Sequence, residues 1–243
     1  MAKMLRALLL PTAAAVLLWA APFSAAKVLD ETAIVDETPV HYKVILPKDY
    51  DPEKAYPGVL AFPPGSQTAD MVMTIVERSL RGEAEKRGYI VIVPAAPRGR
   101  LFIEAGALVF PEFITQMFAK YKIRDNKFHA AGMSNGGLSA FHIAASYPQY
   151  FWSVTGFPGY LRDATPQRVN ALEKMCINMH VGELDTPVWR ESMQAQAAQF
   201  RKLGYKVRFT IEKDQPHVMN TLQGFGAARL FDQFEEARMG CSK

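Results

Sequence analysis

Phe128-His129-Ala130-Ala131-Gly132-Met133-Ser134-Asn135-Gly136-Gly137 sets a G-x-S-x-G pattern between an apolar run and a helix-forming run. The spacing predicts a strand over 127–131, a very tight turn, and a helix over 136–146 stopped by Pro148. In such a turn, side chains flanking the serine clash with the chain as it reverses, and Gly132 and Gly136 remove them. The serine is then held in a strained conformation with its hydroxyl exposed. The following helix aims its unpaired N–H groups at the same point, which favours negative charge there. A glycine-rich turn without chemistry is the plain alternative. The strand–turn–helix context favours a nucleophile at Ser134.

Working outward, strands and helices alternate. Residues 40–46 alternate as a strand, paired with 32–35. The runs at 58–62 and 89–93 are short and wholly apolar, as expected of strands covered on both faces. Further strands are expected at 152–157, 176–181 and 206–212. Helices are expected at 69–86 (ended by Gly88), 110–121 (opened by Pro111), 188–203 (ended by Gly204) and 227–238. This reads as an α/β fold with a mostly parallel central sheet of about eight strands and helices on both faces. Only about 17 residues separate Phe157 from Met175, room for a turn and a short helix, so no large lid is expected. Ligands of such sheets sit beyond the carboxyl ends of the strands.

A serine hydroxyl needs a base, and the base needs an orienting carboxylate. On this architecture the chain order is Ser, then Asp or Glu, then His. Asp185 follows the 176–181 strand and His217 follows the 206–212 strand, each on a loop at the right end of the sheet. Asp163 and Glu183 are the rival acids, and His180 is the rival histidine for lining the site. His129 and His142 are expected to pack in a strand and a helix, and His41 lies in an early strand. The oxyanion donors are expected to be the Asn135 N–H and an N–H from Pro63-Pro64-Gly65-Ser66-Gln67. Proline has no N–H, which leaves Gly65 or Ser66. Tyr160, Leu161 and Trp189 are expected to line an open, partly aromatic, substrate-binding cleft.

Composition bounds the rest. The chain has 243 residues, 49% hydrophobic and 21% charged, which suits one folded domain and excludes low-complexity classes. Residues 1–26 read as a signal peptide: Lys3 and Arg6, then an apolar stretch from Ala7 to Ala21, then Ser24-Ala25-Ala26 before Lys27. The catalytic domain is then 27–243, secreted or periplasmic, with no stable membrane anchor after cleavage. Removing Lys3 and Arg6 lowers the net charge from +4 to +2. No block of five like charges occurs, so nucleic acid is not an expected partner. The two cysteines, Cys176 and Cys241, are too few for a zinc site. Export permits a disulfide between them, and two free thiols is the alternative.

The elbow GMSNGG at 132–137, the order Ser134–Asp185–His217, YKIRDNK at 121–127 and Gly159-Tyr160-Leu161 together resemble the α/β-hydrolase superfamily. Within it they are similar to secreted bacterial esterases of the polyhydroxybutyrate depolymerase and feruloyl esterase group. The resemblance spans residues 38–238. It implies a serine carboxylesterase-type hydrolase acting on short-chain, aromatic or polymeric esters, with no metal and no organic cofactor. One departure is visible: the group usually carries His-Gly followed by small residues in the oxyanion loop, where this chain has Pro63-Pro64-Gly65-Ser66. Prolyl-oligopeptidase-type peptidases share the elbow, but carry tyrosine where Asn135 stands and usually an accessory domain. A non-catalytic module on the same fold is the third reading, and the complete Ser-Asp-His set counts against it.

Overall fold

The computed structural model describes residues 27–241; the expected signal peptide at 1–26 lies outside the described residues. Eight strands form one open sheet: β1 (Lys27–Val35), β2 (Thr38–Leu46), β3 (Tyr56–Phe62), β4 (Ile90–Pro94), β5 (Ile123–Gly132), β6 (Phe151–Gly156), β7 (Cys176–Gly182) and β8 (Val207–Glu212). Their spatial order is β1-β2-β4-β3-β5-β6-β7-β8. β1 and β2 form an antiparallel hairpin and β2 runs antiparallel to β4; every other pairing is parallel. The hairpin turns on Asp36 and Glu37, both at positive φ, the tight two-residue turn that matches strand twist.

Among the described residues, seven α-helical segments cover the sheet: α1 (Ala69–Ile75), α2 (Arg81–Arg87), α3 (Glu112–Lys120), α4 (Asn135–Ser146), α5 (Pro166–Ala171), α6 (Pro187–Lys202) and α7 (Ala228–Arg238). Alternate residues of β3 feed opposite cores. Leu60 and Phe62 pack with Phe113 of α3, Phe141 of α4 and Phe200 of α6. Val59 and Ala61 pack with Val72 of α1, Ala84 of α2, and Phe231 and Phe234 of α7. Each buried Val, Leu or Phe among these stabilises the fold by about 1.5–3 kcal/mol, which is what holds the strand ends in place. Among the described residues no helix is long and apolar enough to cross a membrane.

The structure adjusts several expectations. The helix expected over 69–86 is interrupted by a π-helical turn over Val76–Leu80 before ending at Gly88, whose φ of 70° is the left-handed cap. β1 begins at Lys27 rather than at 32, with one face exposed. Pro111 sits at the N-cap of α3, one position before its first residue. Among the described residues, the segment between β6 and β7 holds only α5, so no large lid is inserted there.

Candidate active site

Ser134 occupies the junction of β5 and α4 with φ 58° and ψ −123°, a region L-residues avoid. Its N–H donates to the Pro158 carbonyl at 2.8 Å, which pins the elbow to the end of β6. The flanking glycines are required by contact. A Cβ on Gly132 would stand 2.2 Å from the Gly136 carbonyl oxygen, and one on Gly136 would stand 2.0 Å from that of Phe62.

The structure brings Ser134, His217 and Asp185 together. Ser134 Oγ lies 2.9 Å from His217 Nε2. His217 Nδ1 lies 2.8 and 3.0 Å from the two Asp185 carboxylate oxygens. A carboxylate only accepts, so Nδ1 carries the proton and Nε2 is left to accept from the serine hydroxyl. Asp185 is 5% exposed and also accepts from the Thr186 N–H at 2.6 Å. Its loop is stitched to the loop bearing His217: Glu183 N–H donates to Glu212 O, Leu184 N–H to Gln215 O, and Asp214 N–H to a Glu183 carboxylate oxygen. Gly182 makes this approach possible, since a Cβ there would meet the Gln215 and Pro216 carbonyl oxygens at 2.3 Å.

Rival residues are engaged elsewhere. Asp163 is exposed and pairs with Arg168. Glu183 serves the loop. His180 is fully buried between Glu212 and Gln233. The hydrogen bond with His180 holds the Glu212 carboxyl well below the usual carboxylate range, and Arg229 and Thr221 act the same way against the effect of burial. His129 bonds Ser153 inside the sheet, and burial lowers its pKa to about 3. His142 contacts Arg168, and burial lowers its pKa to about 4. His41 contacts Thr32 on the hairpin.

Around the triad, the Trp189 ring meets the His217 ring edge-on at 4.9 Å, and Tyr160 meets Trp189 at 5.5 Å. Leu161 is a correction. It is 1% exposed, and its N–H and carbonyl are both tied to the Gln196 carboxamide, so it packs in the core and does not line an open cleft. Asn135 opens α4, where its N–H has no acceptor one turn back. Its side-chain amide donates to the Gly65 carbonyl at 2.9 Å, which fixes the turn bearing Gly65 and Ser66, both exposed. One residue escaped the sequence reading: Gln67, buried and bonded on every side. A polar residue in a Pro-Gly turn looks solvated, and the one signal was its place directly after the donor candidates. Among the described residues no cluster of three or more His, Cys, Asp or Glu is arranged to hold a metal. Cys176 and Cys241 form a disulfide with a Cα separation of 5.9 Å at the opposite end of β7 from the triad. A cavity of about 570 Å³ opens beside that disulfide and is lined by no triad residue.

An open, mostly parallel sheet with a serine on the β5–α4 elbow, and an acid and a histidine after β7 and β8, defines the α/β-hydrolase fold. Solved structures agree. The chain is similar to a thermostable esterase (17% identity, TM-score 0.68), covering 87% of this chain and 62% of that one. It is also similar to a ferulic acid esterase (17% identity, TM-score 0.66), covering 89% of this chain and 99% of that one. An S-formylglutathione hydrolase from Agrobacterium tumefaciens matches at 16% identity and TM-score 0.63, over 88% of this chain and 96% of that one. No family model and no curated protein matches the sequence.

Proposed function

We propose that this protein is an exported serine hydrolase that cleaves carboxylic esters through an acyl-enzyme on Ser134. The observation that carries this is the unbroken chain of contacts Ser134 Oγ–His217 Nε2 and His217 Nδ1–Asp185 at 2.8–3.0 Å on a strained elbow. His217 takes the hydroxyl proton as Ser134 attacks the ester carbonyl. Asp185 keeps the tautomer and stabilises the imidazolium. The Asn135 N–H and one of the Gly65 and Ser66 N–H groups receive the oxyanion. The alcohol leaves with the proton from His217, and water activated by the same histidine releases the acid.

The short segment between β6 and β7 and the aromatic pair Tyr160–Trp189 support short-chain, aromatic or polymeric esters as substrates rather than long lipids. The Cys176–Cys241 disulfide supports an oxidising location, periplasmic or extracellular. The test is hydrolysis of nitrophenyl esters from acetyl to palmitoyl, with one peptide anilide, by protein starting at Lys27 and by its Ser134→Ala variant. Ester hydrolysis lost in the variant is the expected result. Preference for the anilide replaces the esterase by a peptidase, preference for palmitoyl at equal solubility overturns the substrate class, and no turnover with no phosphonate labelling of Ser134 favours a binding module.

A further inference from the structure

Gln67 lies in the turn that follows β3 and is wholly buried, with a backbone φ of 56° that non-glycine residues rarely adopt. Four hydrogen bonds hold it there. Its N–H donates to Pro64 O at 3.1 Å and its carbonyl accepts from the Ala96 N–H at 2.8 Å. Its side-chain oxygen accepts from the Phe102 N–H at 2.9 Å, and its side-chain amide donates to Ser139 Oγ at 2.9 Å. Ser139 is itself fully buried and donates its own proton to the Asn135 carbonyl at 2.8 Å. The Phe102 N–H can only donate, which fixes which end of the carboxamide faces it. Ser139 has spent its proton on Asn135 and therefore needs a donor. Only a group that accepts on one side and donates on the other satisfies both, and a carboxamide does so with planar geometry.

The consequence reaches the reaction. Asn135 and the turn at 63–67 come from separate segments of the chain, about 70 residues apart, and the oxyanion site proposed above draws one donor from each. Gln67 links that turn, through Ser139, to the Asn135 carbonyl, one peptide unit beyond the Asn135 N–H; the Asn135 side chain closes the loop by holding the Gly65 carbonyl. We propose that Gln67 is a positioning residue that sets the distance between the two oxyanion donors, and so acts on the transition state rather than on substrate binding. This rests on the hydrolase reading above.

The experiment compares wild type with Gln67→Met, Gln67→Glu and Ser139→Ala, using a nitrophenyl acetate burst to count active sites. The expected result for Gln67→Met is a fall in kcat per active site of about 10- to 100-fold, short of the 10²–10³ for outright loss of a donor. KM should change less than threefold, and affinity for a trifluoromethyl ketone should weaken by the same factor as kcat/KM. Ser139→Ala, which leaves the turn its other three bonds, should lose about three- to tenfold. In Gln67→Glu the ionised carboxylate cannot donate to Ser139, but its protonated form can, and burial raises its pKa. Its kcat relative to wild type should therefore rise as pH falls from 8 to 6, a dependence that simple loosening of the fold does not produce. Unchanged kcat per active site in the Gln67 variants, or a rise in KM at constant kcat, overturns the inference while leaving the hydrolase intact. Inactive wild type overturns both.

Discussion

Gly136 is the second residue of α4 and rests against the end of β3. A Cβ there would stand 2.0 Å from the Phe62 carbonyl oxygen and 2.6 Å from that of Pro63. Carbon–oxygen contacts settle near about 3.3 Å, so Gly136→Ala must open the contact by roughly 1.3 Å. Both neighbours are backbone, and no rotamer change relieves them. Overpacking of this kind costs about 1–3 kcal/mol, which in a chain of this length lowers Tm by roughly 2–12 °C. The chemistry should suffer more than the fold. α4 carries the Asn135 N–H and β3 leads directly into the turn bearing Gly65 and Ser66, so the displacement widens the proposed oxyanion site. A misplacement of about 1 Å costs on the order of 10²-fold in rate. Thermal unfolding and nitrophenyl acetate turnover per titrated site measure the two effects separately. Gly82→Ala is the control: no atom beyond its own helical turn lies within 4 Å of a Cβ there, it sits in α2, and it should gain about 0.5–1 kcal/mol with unchanged turnover. Gly136→Ala with wild-type turnover and a Tm within 1 °C would refute the reasoning.

Asp185→Asn should lower kcat by about 10³- to 10⁴-fold with little change in KM, since an amide donor facing His217 Nδ1 forces the wrong tautomer; steady-state kinetics checks this. Stability should fall as pH drops from 6.5 towards 3, because His129 is neutral in the fold with a pKa of about 3 and takes up a proton more readily when unfolded. That difference is worth roughly 5 kcal/mol at full extent, and His129→Gln should flatten the slope of Tm against pH between 6.5 and 4. Glu212 adds loss at lower pH, since its depressed pKa means its contribution is present above the ordinary carboxylate range and disappears below it. Reducing the disulfide, which closes a loop with a sequence separation of 65, should lower stability by about 4 kcal/mol in a denaturant titration run with and without reductant. Turnover at 25 °C should hold, because the bond lies at the far end of β7.

The parts that could be read from sequence were those governed by local rules. The runs at 58–62 and 89–93 are short and apolar, as strands covered on both faces are, and Gly132 and Gly136 stand where a strand-to-helix reversal needs them. Strand order put Asp185 and His217 at the right end of the sheet but put Asp163 and Glu183 there too; the contacts of Asp163 with Arg168 and of Glu183 with the Asp214 N–H set those two apart. What could not be read depended on contacts between distant segments. Gln67 looked like a solvated turn residue until Phe102 and Ser139, 35 and 72 positions away, closed on it. Leu161 looked like a cleft residue because Gln196 of α6, which seals it into the core, lies 35 positions on. The π-helical turn at 76–80 falls in a run whose apolar residues Val72, Ile75, Val76 and Leu80 also satisfy α-helical spacing, so periodicity does not betray it. The cysteine pairing turned on a Cα distance that no sequence pattern contains.

The strain at Ser134 and the glycines around it belong to one argument. A backbone at φ 58° persists only if its surroundings leave no relaxed alternative. Here those surroundings are mostly peptide groups. Gly137 and Gly156 both lie against Gly159, and Gly132 lies against Gly136, at distances where any Cβ would be under 3 Å from backbone atoms. The end of β6, the elbow and the first turn of α4 are therefore packed main chain on main chain, without side chains to yield between them. It follows that reactivity and folding separate by residue type. Truncating Ser134 or Asp185 removes chemistry from a frame that does not depend on them, whereas placing a methyl group on the glycine shell moves the frame. Measuring Tm and turnover across both sets discriminates this account from one in which the triad side chains themselves hold the elbow. In that second case Ser134→Ala would lower Tm as much as Gly136→Ala, and the backbone explanation of the strained serine would fail.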